Sequence, residues 1–402
     1  MMTRLSKPRS AHRRRGFLTP AIMVALFVAM IGVAVALDQL WLENAEVELN
    51  TAVEASALAA ARQLATDDLL RSNSRSNQRI KRARQQAIQV ASRNHVAGTD
   101  VEIDGKGRGS IQFGRRIFDP QTNRSQFVES KSNPTSVIVT AERSRRQGNP
   151  IALWFRQLTH QPAGDVASRA QATLDNRIIG FRPLEEVPVP ALPFAILEDD
   201  PKGKRTDTWN AMIEQRQGED NYSYNAKTGR VKNGPDGIPE IVLRTLPLNG
   251  TDEESNLQLI DIQTDFQPKK LRRQIKRGWT RNDLKNSQDE IQLSRNGTQF
   301  TSLAYLTDGH PRVLRGLIGQ CRICMLYRNH AINDAGFGTV DCRRFVAGRI
   351  MSVRRLPDDA CEIVFQPGVM TTPTALLISN QAPTEQQELA INRYIYKLQI
   401  TH

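Results

Sequence analysis

The chain has 402 residues, of which 24% are charged and 6% aromatic, and a formal net charge of +13. That length exceeds one ordinary domain, and so few aromatic side chains argue for modest cores joined by polar segments rather than one large compact enzyme. Six of the positive charges (Arg4, Lys7, Arg9, Arg13, Arg14 and Arg15) sit in a short arm at the start, so the remainder is only mildly basic.

After this arm, residues 1–15, the run from Gly16 to Leu37 carries no charge. As a helix rising ~1.5 Å per residue it reaches roughly 33 Å, enough to cross a hydrocarbon core of about 30 Å. Beyond it the signs reverse, with Asp38, Glu43, Glu46, Glu48 and Glu54 preceding the next base at Arg62. A basic flank marks the cytoplasmic side, so residues 16–37 are expected to anchor the chain once, with the N-terminus inside and the rest outside. Two other readings compete. Ala34-Val35-Ala36 is an A-x-A pattern of the kind cleaved behind a signal peptide, although the apolar run is longer than a usual signal core. Arg15-Gly16-Phe17 is similar to a prepilin processing junction, but Ala21 stands where prepilins carry a glutamate. For an exported chain, anionic lipid, wall polymer or acidic protein faces are better counter-charges than nucleic acid.

Residues 38–96 contain no proline or glycine and read as helix throughout. Leu40, Trp41, Ala45, Leu49, Ala52, Val53, Ser56, Ala57, Ala60 and Leu64 recur at three- and four-residue steps on one face. Small residues at such spacing let a second helix approach closely, so Ala52, Ser56 and Ala60 are candidates for lateral packing; the plainer reading is that alanine raises helix propensity. Arg71, Arg75, Arg79, Lys81, Arg82 and Arg84 form a basic patch, which is either a solvated face or a contact for membrane or acidic partners.

From 97 to 180 the period becomes alternating. Val101–Ile103, Ser110–Phe113 and Val137–Thr140 read as strands, Gly105, Gly107 and Gly109 as a turn, Ile151–Leu158 as a short helix, and Val166–Leu174 as a strand. Together they predict a small α+β module on the long helix. Val187-Pro188-Val189-Pro190-Ala191-Leu192-Pro193 then favours extended polyproline geometry, and 181–255 is expected to be an irregular connector. Residues 256–402 open with a second basic segment (Lys269, Lys270, Arg272, Arg273, Lys276, Arg277) and continue as a mainly β domain, with strands at Val313–Ile318, Phe345–Arg354, Cys361–Gln366 and Tyr394–Ile400. The fold class is therefore α+β.

Cys321, Cys324, Cys342 and Cys361 all lie in this last domain. An even, clustered set in an exported domain suggests disulfides, with free structural thiols or a metal site as alternatives. The second C-x2-C of a zinc ribbon is absent, so no metal site is assigned. Neither a catalytic motif nor a cofactor fingerprint is found: H-E-x-x-H, G-x-S-x-G, the Walker loop and the Rossmann glycines are all missing, and a Cys324–His330 pair is close only in sequence. No enzyme activity and no cofactor are expected.

The basic arm, Arg15-Gly16-Phe17 at the head of the span, Asp38 at its outer end and the stretch Leu49–Ala61 with its internal Glu54 together resemble the N-terminus of TadE/TadG-like proteins of the Flp (tight-adherence) pilus assembly system. The resemblance is carried by residues 13–65, is only thematic as far as Gly180, and does not extend beyond. The metal-adhesion loop D-x-S-x-S of many TadG proteins is absent. The resemblance implies an inner-membrane-anchored scaffold or minor pilin-like protein whose partners are other pilus-assembly or envelope membrane proteins. Gly16, Phe17, Asp38, Ala52, Ser56 and Ala60 would then be its anchor and packing residues. The alternative is an envelope-surface module whose basic segments hold anionic wall polymer or lipid.

Overall fold

A computed structural model describes residues 18–72, 76–103, 111–119, 124–246, 255–294, 296–306, 309–332, 338–357, 360–379, 382 and 390–401. Helix α1 (Leu18–Leu64) is unbroken over 47 residues, or roughly 70 Å at ~1.5 Å per residue. Its two halves live in different surroundings. Ile22, Met23, Phe27, Met30 and Val33 are each more than half exposed, and this N-terminal half is long and apolar enough to cross a membrane. From Ala45 onward the inward positions Leu49, Ala52, Val53, Ala57, Ala60 and Ala61 are fully buried. Each large aliphatic side chain hidden in this way contributes about 1.5–3 kcal/mol.

The buried half of α1 packs on α2 (Ser76–Ala91) and on a six-stranded sheet. In chain order the sheet's first four strands are β1 (Ile111–Asp119), β2 (Arg124–Glu129), β3 (Ser136–Arg143) and β4 (Val166–Asp175), and two more arrive from the far end of the chain. Helix α2 turns Ala83, Ala87 and Ala91 inward, so two alanine-rich helix faces share one core with the sheet. Alanine supplies most of these positions, with Leu49 and Val53 the larger exceptions on α1, and the small side chains let backbone and strand come close.

The second sheet has seven strands: β5 (Ala191–Leu197), β6 (Ile241–Arg244), β7 (Leu257–Ile260), β8 (Thr298–Leu303), β9 (Cys321–Ile332), β10 (Gly338–Arg355) and β11 (Cys361–Pro367). Strand β9 pairs with β5 in parallel and with β10 antiparallel, so β10, β8, β7, β5 and β9 close into a ring, and β11 and β6 extend it along the outer half of β10. Closure removes the unpaired strand edges of an open sheet. Trp209 and Trp279 lie fully buried in the same core as this ring, Trp209 edge-on to Tyr394 at 5.5 Å.

Strand β12 (Met370–Thr371) and β13 (Ile395–Thr401) then return to the first sheet, giving the order β12-β13-β4-β3-β1-β2. Lys397 stands opposite Asp175 and Thr401 opposite Gln171. Thr173 on β4 meets Ser136 on β3 and Thr401 on β13, each hydroxyl pair 3.0 Å apart, and this buried chain of hydroxyls fixes the register of three strands.

The structure departs from the sequence expectations at several places: Val101–Ile103 is not a strand, and Ile151–Ala152 is a strand where a short helix is expected, with helix only at Arg156–Thr159. The helix expected to Val96 stops at Leu64, then restarts at Ser76, because Asp67 in the intervening turn is held from outside: its Oδ1 accepts the Val369 N–H at 2.7 Å. The connector 181–255 supplies two strands of the ring sheet, and Pro193 lies inside β5, where the pairing with β9 slips between Ala191 and Ala195. A proline without a ladder donor is accommodated at such a bulge. Val313–Ile318 is not a strand; α5 (Gly309–Arg315) covers its first half, with Pro311 and Leu314 buried. The expected C-terminal domain also gives up its last strand to the N-terminal sheet, so the two units interleave. The glycine turn at Gly105–Gly109 lies outside the described residues.

Candidate assembly surface along the anchor helix

Ala52, Ser56 and Ala60 do line a close-packed face, but the partner is the chain itself. All three are fully buried in the layer shared by α1, α2 and the first sheet, and Ser56 Oγ donates to the Ala52 carbonyl at 2.7 Å. A lateral contact of this face with another protein is therefore replaced by an intramolecular one. Gly16 and Phe17 lie outside the described residues.

Polar residues along α1 fix its outer half to the body. Glu48 Oε2 accepts the Ala97 N–H at 2.9 Å, and Asn50 Oδ1 accepts from Ser168 Oγ on β4 at 3.0 Å. Asp38 is buried as well. Its Oδ1 accepts the backbone N–H groups of Trp154 at 2.9 Å and Phe155 at 3.2 Å, at the start of the short helix α3 (Arg156–Thr159). Sequence reasoning placed Asp38 at the membrane boundary but gave no sign of this task, because its partners are more than a hundred residues away.

The segment that Asp38 holds is the loop of a hairpin. Ile151–Ala152 pairs with Ala163–Gly164, and the loop between them runs along α1 toward the exposed apolar half. Gly164 packs closely at its base: a Cβ there would come within 2.5 Å of Leu42 Cδ2, so the leucine side chain would have to shift. Trp154 meets Trp41 edge-on at 5.5 Å and is otherwise 71% exposed. Phe155 and Leu158 reach α1 at Leu26, Ala29, Met30, Val33 and Ala34, enclosing a groove of about 320 Å³ with almost wholly apolar walls.

The two basic segments differ. In the first, Arg71 and Arg82 pair with Asp68 at 2.5 and 2.6 Å, Arg79 is buried with its Nη2 donating to Asn133 Oδ1, and Arg84 lies over the Phe113 ring. This patch is largely consumed within the fold; Arg75 lies outside the described residues. The second is α4 (Pro268–Arg277), which buries Leu271, Gln274 and Ile275 and exposes Lys269, Arg272, Arg273, Lys276 and Arg277. Arg273 pairs with Asp283 and Lys270 with Asp265, leaving Lys269, Arg272, Lys276 and Arg277 outside any ion pair among the described residues.

The four cysteines are free, which corrects the disulfide expectation. In the strand registers Cys321 stands opposite Arg349, Cys324 opposite Val346, Cys342 opposite Tyr327 and Cys361 opposite Arg355, so no two sulfurs face each other. Burial pushes the Cys321 thiol up to about 12 and Cys361 up to about 11, and raises Cys324 and Cys342 further, all away from the reactive thiolate form. Cys324 and His330 lie on the same strand, roughly 20 Å apart at ~3.3 Å per residue, too far for a nucleophile and its base. Among the described residues, no three His, Cys, Asp or Glu side chains converge as metal ligands would.

Comparison with protein-family models, with curated proteins and with solved structures found no match to this chain.

Proposed function

We propose that the protein is a membrane-anchored scaffold of the bacterial envelope, working by non-covalent packing, with the basic arm in the cytoplasm and the two interleaved sheets in the periplasm. The observation that carries this reading is the continuity of α1. One helix provides the exposed apolar half and, without a hinge, the core of the folded body, so the body is held at a fixed height and angle to the membrane. Such a rigid mount suits a part that other membrane proteins assemble against. The likeness of residues 13–65 to TadE/TadG-like proteins supports placing it in Flp/Tad-type pilus assembly. With the alanine face occupied internally, partners would dock on the sheets or on the exposed span.

The test is to replace residues 1–37 with a cleavable signal peptide in the bacterium that carries the chain. The reading predicts a stable, soluble periplasmic body and loss of pili by electron microscopy. Pili formed normally by the released body would contradict it.

A second reading is favoured by α4, which exposes Lys269, Arg272, Lys276 and Arg277 outside any ion pair among the described residues. On this reading the body binds anionic wall polymer or lipid head groups. Salt-sensitive pelleting of the body with anionic liposomes, lost in a Lys269→Glu, Lys276→Glu, Arg277→Glu variant, would support it; pelleting unchanged by that variant would remove it.

A further inference from the structure

We propose that the hairpin Ile151–Gly164 is a second membrane contact, which inserts Trp154, Phe155 and Leu158 into the leaflet nearest the body and holds a phospholipid acyl chain in the groove against α1. This rests on the reading of α1 as a membrane span.

Several features converge. The groove opens beside Leu26, Met30 and Val33, which are more than half exposed and belong to the apolar run, so inside a bilayer hydrocarbon is what surrounds it. Leu26 lies about 18 Å along the helix axis from Asp38, which sets the tip of the hairpin well within acyl-chain depth. An apolar cavity of roughly 150 Å³ already holds a benzene ring, so a groove of about 320 Å³ accommodates a run of methylenes.

Backbone polar groups constrain any loop that enters lipid, because unsatisfied N–H groups there cost several kcal/mol each. This loop meets the requirement at the residues that face α1. The Trp154 and Phe155 N–H groups donate to Asp38, those of Leu158 and Thr159 donate to the Phe155 carbonyl, and that of Leu153 donates to the Pro162 carbonyl. A carboxylate buried at the end of the span, bonded to loop amides instead of water, is what such an insertion needs.

Finally, an indole left 71% exposed is costly in water and favourable at a bilayer interface, where tryptophan collects. Arg156 beside it is exposed and long enough to extend its guanidinium back to a lipid phosphate.

Tryptophan quenching in the full-length protein tests this, using nanodiscs of phosphatidylcholine and phosphatidylglycerol with bromine at shallow or deep acyl positions. Trp209 and Trp279 are fully buried in the body, so lipid quenching reports on Trp154 and Trp41. The expected result is quenching by brominated lipid, independent of the protein-to-lipid ratio and reduced at least twofold in Trp154→Phe. Emission quenched by aqueous iodide and untouched by brominated lipid would overturn the proposal, as would lipid quenching that fades as the protein-to-lipid ratio rises, which would mean a second copy fills the groove. Protein that fails to incorporate into the bilayer at all would instead overturn the span on which the proposal rests.

Discussion

The Asp67 carboxylate and the Arg349 guanidinium are 2.8 Å apart, and through them the turn that follows α1 grips the ring sheet. Arg349 Nε also donates to the same Asp67 oxygen, and its guanidinium lies 3.8 Å from the centre of the Tyr224 ring. Both charged side chains are mostly buried, and Asp67 also accepts from Val369 just past β11. Removing one member leaves the other buried and unpaired, which costs more than the pair contributes. Asp67→Ala should destabilise the body by about 2–4 kcal/mol. Adding Arg349→Met should recover part of that loss in urea denaturation; a fully additive double variant would show that the pair is not coupled.

How much of this was legible in the sequence follows from the range of each interaction. The apolar span follows from the uncharged run Gly16–Leu37, and the inward face of α1 from the three- and four-residue repeat between Ala45 and Leu64, although Leu40, expected on the same face, is exposed. Three strands of the first sheet, at Ile111–Asp119, Ser136–Arg143 and Val166–Asp175, follow from alternation, whereas Arg124–Glu129 and the hairpin Ile151–Gly164 do not. The break at Asp67 was not legible, because Val369 and Arg349, which hold it, are some three hundred residues downstream. The prolines before and within residues 191–197 suggest a connector, and only the bulge against β9 explains how Pro193 fits a buried strand. The return of Ile395–Thr401 to the first sheet leaves no local trace. Cysteine number suggested disulfides, but number carries no register. At the candidate surface the sequence marked Asp38 and the alanines as notable while hiding what they touch.

Because Ala52, Ser56 and Ala60 are enclosed, leucine at any of them overfills a closed space. Each should cost about 1–3 kcal/mol, seen as an earlier thermal transition in circular dichroism, whereas Val47→Leu on the exposed side should change little. A set of leucine variants as stable as the parent would place the face on the outside.

Asp38 tethers the hairpin through backbone groups, so the shape of its acceptor matters more than its charge. Asp38→Asn keeps an oxygen for the Trp154 and Phe155 N–H groups; Asp38→Ala leaves both without an acceptor. Orphaning them should open the loop by about 1–3 kcal/mol, which speeds tryptic cleavage after exposed Arg156 roughly tenfold or more in detergent. Equal cleavage rates for the two variants would mean that Asp38 does not hold the hairpin.

Glu240 is buried, and burial, helped by the nearby Asp220 and Asp236 carboxylates, pushes its carboxyl up to about 7 from 4.5, against hydrogen bonds from the Asn221 and Tyr222 N–H groups. The folded chain therefore binds this proton more tightly than the unfolded chain. The contribution is fully present below pH 4.5 and is lost as pH rises through about 7, reaching up to about 3 kcal/mol. Subtracting the urea stability curve of Glu240→Gln from that of the parent should leave a decline across this window; a flat difference would contradict the assignment.

Thiol chemistry separates the strand register from the disulfide expectation. Non-reducing mass spectrometry of the native protein should find four free thiols, with at most Cys321 alkylated before denaturation and all four afterwards.

The central claim is that one helix is both membrane anchor and structural core. Spheroplasts treated with an external protease test it most directly, followed by alkaline carbonate extraction and N-terminal sequencing of the undigested protein. The account predicts a body accessible to protease, a chain that stays with the membrane after carbonate, and an intact basic arm. A body that is protected, or a mature protein that begins at Leu37 and leaves with the soluble fraction, would contradict it.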